Sequence, residues 1–366
     1  MALTILSKIF GFMRELTLTY FYGADVVSDA FFISLTIPQT IFRFVGVAIV
    51  AGFIPIYTKI YSNEQTKSAD KFASNVLNLS FILSTFIVVV TMIFTRQVLF
   101  VFASGFTGYA QEVAVSFTRI TVFAVYCTSF VYVFRGYLQI NNNYWIPAIL
   151  PIPMNIIIVL GIALSSDNAP EIMAFGFLVS MICQVIIIIP FLLKYRFSYH
   201  PRINLNNQHV KTFLIIIIPI LISVAVRDVN KIVSQNLASN MLEGSISALN
   251  YARRLDGFIQ SIVFMAITTA MFPLISKMAS KQDYDGLKRT VKECVNISLI
   301  VVIPATVGAM LFSSGIVQLL FQRGAFGREE TIMTASALFF LAIGMLPQGL
   351  KQVFQRSFFA INDTKT

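Results

Sequence analysis

Ionisable side chains set inside apolar stretches long enough to cross a bilayer constrain this chain more than any motif does. Lys8, Arg14, Glu15, Asp29, Arg43, Arg227, Asp228, Arg253, Arg254 and Asp256 all interrupt long hydrophobic runs. At membrane depth each such group costs several kcal/mol unless it faces a watery cavity or a partner. A chain that keeps so many of them is built to handle a charged cargo.

A hydrophobic fraction of 57%, a charged fraction of 12% and a mean hydropathy of +0.77 over 366 residues exclude an ordinary soluble domain. The reading is an all-α polytopic membrane protein. Apolar runs of roughly 20 residues or more predict ten spans, near 2–22, 27–58, 72–95, 111–139, 144–164, 170–193, 211–238, 244–276, 291–320 and 330–360. Pro38, Pro219 and Pro347 fall inside three of them and predict bends or breaks. The first span is no cleaved signal peptide, because Lys8, Arg14 and Glu15 break up what would have to be its apolar core. Cys127, Cys183 and Cys294 show neither redox nor metal-ligand spacing and read as packing residues.

The net charge of +10 raises nucleic acid as a partner, but its distribution argues otherwise. Alternate loops carry twelve lysines and arginines (Lys59, Lys67, Lys71, Lys194, Arg196, Arg202, Lys211, Lys277, Lys281, Lys288, Arg289, Lys292), whereas the opposite set carries Arg96, Arg323 and Arg328. That bias places the N-terminus and the 194–211 loop in the cytoplasm. His200 and His209, in that loop, read as solvated residues.

The chain repeats itself. Phe53-Ile-Pro-Ile-Tyr-Thr-Lys59 aligns with Met271-Phe-Pro-Leu-Ile-Ser-Lys277, and the same shift of 218 pairs Lys71 with Arg289, Asn78 with Asn296 and Ser80 with Ser298. Phe102 and Gly105 pair with Phe321 and Gly324, and Arg135-Gly-Tyr-Leu-Gln-Ile-Asn-Asn142 pairs with Arg356-Ser-Phe-Phe-Ala-Ile-Asn-Asp363. Ordered pairings of this kind indicate an internal duplication. A first copy with an even number of spans makes two parallel bundles, residues 1–200 and 201–366, with substrate expected between them. The second copy shows only its first four helices, the reading of a truncated chain or a fragment of a longer one.

Ser7-Lys-Ile-Phe-Gly-Phe-Met-Arg-Glu15, Gly23-Ala-Asp25, Ser28-Asp-Ala-Phe-Phe32 with Pro38 beyond, Glu243-Gly-Ser-Ile-Ser-Ala-Leu-Asn-Tyr-Ala-Arg-Arg-Leu255, Leu320-Phe-Gln-Arg-Gly-Ala-Phe326 and Asn362-Asp-Thr-Lys-Thr366 form a set. Together they resemble the MurJ/MviN-type lipid II flippases of the multidrug/oligosaccharidyl-lipid/polysaccharide exporter superfamily. The resemblance runs the length of the chain. It implies about fourteen spans and export of an undecaprenyl-pyrophosphate-linked peptidoglycan precursor to the outer leaflet of the bacterial plasma membrane, in the service of cell-wall biogenesis and cell shape. It also implies that Lys8, Arg14, Arg43 and Arg254 line a cavity that receives the pyrophosphate, with Asp29 the acidic member near the outer end of the second span. The expected partners are the lipid-linked glycan, membrane lipids and cell-wall synthesis proteins, around a monomer that uses no cofactor, metal or nucleic acid.

The residues support the same chemistry directly. A pyrophosphate carries about two charges and many acceptor oxygens, which arginine can hold bidentately and lysine as a point charge. Lys8 and Arg14 lie roughly 9 Å apart along a regular helix and about 120° around it, so both could still reach one wide cavity. The alternatives stay open: Arg14 pairing with Glu15, Lys8 snorkelling to the surface, Arg254 in a structural ion pair beside Arg253 and Asp256, and Arg227, Asp228 and Lys231 pairing among themselves. The chain departs from the family pattern in having lysine at position 8, a lone Arg43 after Phe42, and Ser234 where some members carry a sodium-binding aspartate. An enzyme is disfavoured by the lack of a nucleophile elbow, phosphate-binding loop or metal-ligand spacing. An exporter of another lipid-linked polysaccharide, or a truncated membrane protein that does not transport, are the competing readings. A cationic drug would call for buried acids rather than bases.

Overall fold

The computed structural model describes residues 2–48, 52–63, 66–165, 169–204, 206–280 and 283–360, and among these it contains sixteen α-helices and no strand. Their order follows the expected spans closely. Helix α1 is Ala2–Tyr22, α2 is Val26–Ala48, α3 is Ile54–Asn63 and α4 is Thr66–Ile93. A short α5, Thr95–Phe102, leads to α6, Gly108–Thr121, and α7, Ala124–Ile140. Then come α8, Trp145–Ile149, α9, Pro151–Leu164, α10, Glu171–Lys194, and α11, Gln208–Ser239. The last five are α12, Ser245–Ser280, α13, Tyr284–Leu311, α14, Ser313–Phe321, α15, Arg328–Ile343, and α16, Met345–Ala360.

Four spans are long and apolar enough by composition to cross a membrane: Lys67–Ile93, Trp145–Leu164, Glu171–Lys194 and Asp285–Leu311. Two bent pairs, α6 with α7 and α15 with α16, raise the number among the described residues to six. Helices α1, α2, α11 and α12 are 21, 23, 32 and 36 residues long, yet composition alone does not single them out. They are the ones that carry Lys8, Arg14, Asp29, Arg43, Asp228 and Arg254. Length without uniform apolarity is what a helix lining a polar interior should show.

The bends do not all sit where proline predicts them. Helix α2 continues through Pro38, and the expected 27–58 span divides instead after Ala48. Pro347 does stand just past a break, where α15 and α16 meet at 41°. The side chain of Pro219 lies outside the described residues.

The duplication is visible element by element. Helices α4 and α13 are each 28 residues long, each is followed by a short helix of 8 or 9 residues, and each short helix leads to a bent pair, at 43° in the first copy and 41° in the second. The turns match as well: Gly23 and Gly244, which precede α2 and α12, have φ of 62° and 80°. Glycine adopts that left-handed conformation without the Cβ penalty.

Two compact units result, Met1–Ile246 and Ser247–Thr366. In the first, an aromatic core joins Phe53 and Tyr57 to Phe72, Tyr137 and Phe213, with Phe53 stacked on Phe72 at 5.7 Å. Helices α9 and α10 approach so closely at Gly161 and Gly176 that a Cβ on either would meet the other's Cα at 2.9 Å, the small-residue packing that membrane helices use. The segment after α10 is strapped to α4 by side chains acting as backbone partners. The Asn75 amide donates to the Asn204 carbonyl at 2.8 Å and accepts from its N–H at 3.2 Å, while Asp70 accepts from Ser198 N–H and Ser74 Oγ from His200 N–H. In the second unit, Tyr251, Phe321 and Phe326 pack around one another, and α13 runs against α15 and α16.

Candidate functional site

Helix α1 presents its two cations differently. Lys8 is exposed, whereas Arg14 is 8% exposed and its Nη2 donates to Glu15 Oε1 at 2.6 Å, with Glu15 fully buried. The pairing that the sequence left open is therefore present. A buried carboxylate beside the guanidinium offsets the cost of holding either charge in an apolar helix.

Helix α2 carries the next two residues. Asp29, 4% exposed in the first turn of the helix, accepts the Gly244 N–H at 3.0 Å through Oδ2. Gly244 is the only residue type that fits there, because a Cβ would run into the Ala24 carbonyl oxygen. Arg43, near the other end of α2, keeps 42% of its side chain exposed, and its Nη1 stands 3.1 Å from Oδ1 of Asp228 on α11. Asp228 is 1% exposed, and the contact is an ion pair outside hydrogen-bond geometry, since neither carboxylate oxygen has a hydrogen-bond donor. A half-exposed guanidinium opposite a buried carboxylate is held in place but still has donors to offer an anion.

Arg254 lies on α12 in the second unit and is exposed, next to a partly buried Arg253. Asp256, 8% exposed, accepts from Gln260 at 2.8 Å, so its partner lies one turn along the same helix. The Arg227 side chain falls outside the described residues. Ser234 returns its hydroxyl to the Asn230 carbonyl of its own helix at 2.8 Å.

Sequence reading did not find the seam that fixes α11. Seven residues from Arg43 along α2, Thr36 Oγ1 accepts from Gln235 at 3.1 Å, and Gln235 is seven residues from Asp228, so two contacts two turns apart join antiparallel helices. Farther along α11, Asn236 donates to the carbonyls of Phe100 and Val101, Ser239 Oγ accepts the Gly105 N–H, and Asn240 donates to Ser104 Oγ. The signal was a run of amide and hydroxyl residues, Ser234-Gln-Asn-Leu-Ala-Ser-Asn240, at the end of an apolar span.

Charged residues in helices of spanning length, in a duplicated all-α bundle, define a polytopic membrane transporter. The family model for lipid II flippase MurJ matches residues 18–366. The chain belongs to that family. Lipid II flippase MurJ of Burkholderia cenocepacia is 26% identical over 378 residues, covering 99% of this chain and 72% of that protein. A Buchnera aphidicola protein named a probable lipid II flippase is 28% identical over 370 residues, covering 100% and 72%. Among solved structures, a lipid II flippase MurJ in an inward closed conformation superposes with a TM-score of 0.87 at 25% identity, covering 100% of this chain and 76% of that one. An inward-facing multidrug resistance MATE family transporter gives a TM-score of 0.76 at 15% identity, with 98% and 81% covered, a likeness of fold alone.

Proposed function

We propose that this chain moves lipid II, the undecaprenyl-pyrophosphate-linked peptidoglycan precursor, from the inner to the outer leaflet of the bacterial plasma membrane by alternating access. The observation that carries the proposal is the family match from residue 18 to residue 366. It is a transport reading with no catalytic step, with the N-terminus in the cytoplasm and the two copies occupying 1–200 and 201–366 of a single working chain. Lys8, Arg43 and Arg254 receive the pyrophosphate. Lys8 and Arg254 are exposed and Arg43 is half-exposed, so their donors are available to a ligand. Arg14 is buried against Glu15, and in this reading it sets the field of the cavity wall and reaches the cargo only when α1 moves. Asp29 acts by holding the Gly244 turn.

Complementation of a strain depleted of its own lipid II flippase tests this, with membrane levels of each variant measured alongside. Arg254→Ala removes a charge-assisted contact worth about 1.5 to 3 kcal/mol and should abolish rescue at normal protein level. Arg14→Lys keeps the partner of Glu15 but not the planar fork, and should rescue incompletely. Full growth with Lys8→Gln and Arg254→Gln combined would show that the cargo is not held by these cations.

A further inference from the structure

Away from the residues assigned to the cargo, α5 and α6 enclose a cleft of about 460 Å³ lined by Arg96, Gln111, Glu112, Ser116 and Arg119, with Gly108 at its rim. Gln111, Glu112, Val115, Ser116, Arg119 and Ile120 recur at helical spacing and form one stripe of α6. Arg119 is eleven positions after Gly108, about 16 Å along the axis, in the first half of a bent membrane span. Arg119, Arg96 and Glu112 are all exposed. The Arg119 Nε reaches Thr95 Oγ1 at 3.4 Å, Ser116 Oγ reaches Glu171 Oε1 at 3.4 Å, and no ion pair joins either arginine to a carboxylate among the described residues. An exposed arginine at that depth on a membrane-facing helix requires an anion.

The second copy shows that the fold itself does not demand these charges. Buried Val113, Ala114 and Phe117 of α6 correspond at a shift of 221 to buried Thr334, Ala335 and Leu338 of α15. At the same shift Gln111, Glu112 and Arg119 become Ile332, Met333 and Phe340, with Ile332 56% and Phe340 70% exposed. One copy presents lipid with an apolar stripe, and the other has replaced it with a polar cleft. We infer that this cleft binds a membrane phospholipid, with Arg96 and Arg119 on the phosphodiester and the acyl chains along the apolar flank of α6. The single negative charge of a phosphodiester matches the excess of one positive charge among the lining side chains. A pyrophosphate would bring about two charges next to Glu112, so the cleft is distinct from the cargo site.

The test is retention of phosphatidylglycerol by the protein purified in detergent, read by native mass spectrometry and by titration with the lipid. Arg96→Gln with Arg119→Gln should weaken retention about tenfold or more, the loss of one charge-assisted contact, while Lys8→Gln with Arg254→Gln should leave it unchanged. Glu112→Gln removes the opposing charge and should raise retention, which keeps the proposal testable if the double arginine variant does not fold. Equal retention in wild type and Glu112→Gln, or in wild type and a folded double variant, would overturn it. Displacement of the phospholipid by undecaprenyl pyrophosphate at lower concentration than by phosphatidylglycerol would also overturn it, by making the cleft a cargo site.

Discussion

Arg14 and Glu15 have no other buried charge on α1 to share the cost of leaving water, so each depends on the other. Replacing Glu15 with alanine should strand a buried guanidinium and cost about 3 to 5 kcal/mol, and Arg14→Ala with Glu15→Ala together should recover part of that loss. Thermal unfolding in detergent checks this as a double-mutant cycle, and simple additivity would show that the pair is not coupled. Two glycines differ in a way that also reads at this scale. Gly108 has φ +54° with open space where a Cβ would go, so Gly108→Ala should cost about 1 kcal/mol of backbone strain. Gly244, with φ +80° and the Ala24 carbonyl in the way, should cost about 2 kcal/mol or more as alanine. Equal melting temperatures for the two variants would contradict the turn geometry that places Asp29.

The helices themselves were largely legible, because a run of apolar residues of spanning length leaves few alternatives in a membrane. What the sequence hid was where they break. Pro38 bends no further than α2 tolerates, whereas the interruption between α4 and α5 falls at Phe94, with no proline or glycine to mark it. Hydropathy is blind to such a break because both flanks stay apolar. The strap after α10 was equally invisible, since its partners, Asp70, Ser74, Asn75 and Asn78, read from sequence as ordinary polar residues at the end of a span. Asn75→Ala should free both the N–H and the carbonyl of Asn204 and lower stability by about 1 to 3 kcal/mol. Faster hydrogen exchange across 198–204 should accompany it, and unchanged exchange there would show that the strap holds without Asn75.

For the molecule as a whole, the repeat was readable because its landmarks, Gly105 with Gly324 and Arg135 with Arg356, survive at a nearly constant shift, and the helix lengths and bends follow them. The site was readable only as a set of ionisable residues. Which of them pair could not be read, because Arg43 meets Asp228 across 185 positions of sequence and Asp29 meets Gly244 across 215. The proposed orientation predicts that cysteines at Asn63 or Asn206 stay shielded from an impermeant thiol reagent outside intact cells while one at Leu242 is labelled; the reverse pattern would overturn the direction of export. The most direct test is transbilayer movement of fluorescent lipid II in vesicles containing the purified protein. Wild type should move it, and Lys8→Gln with Arg254→Gln, both exposed positions, should slow movement about tenfold or more at equal incorporation. Movement at the same rate in both, or none in either, would contradict a flippase that grips its cargo by these cations.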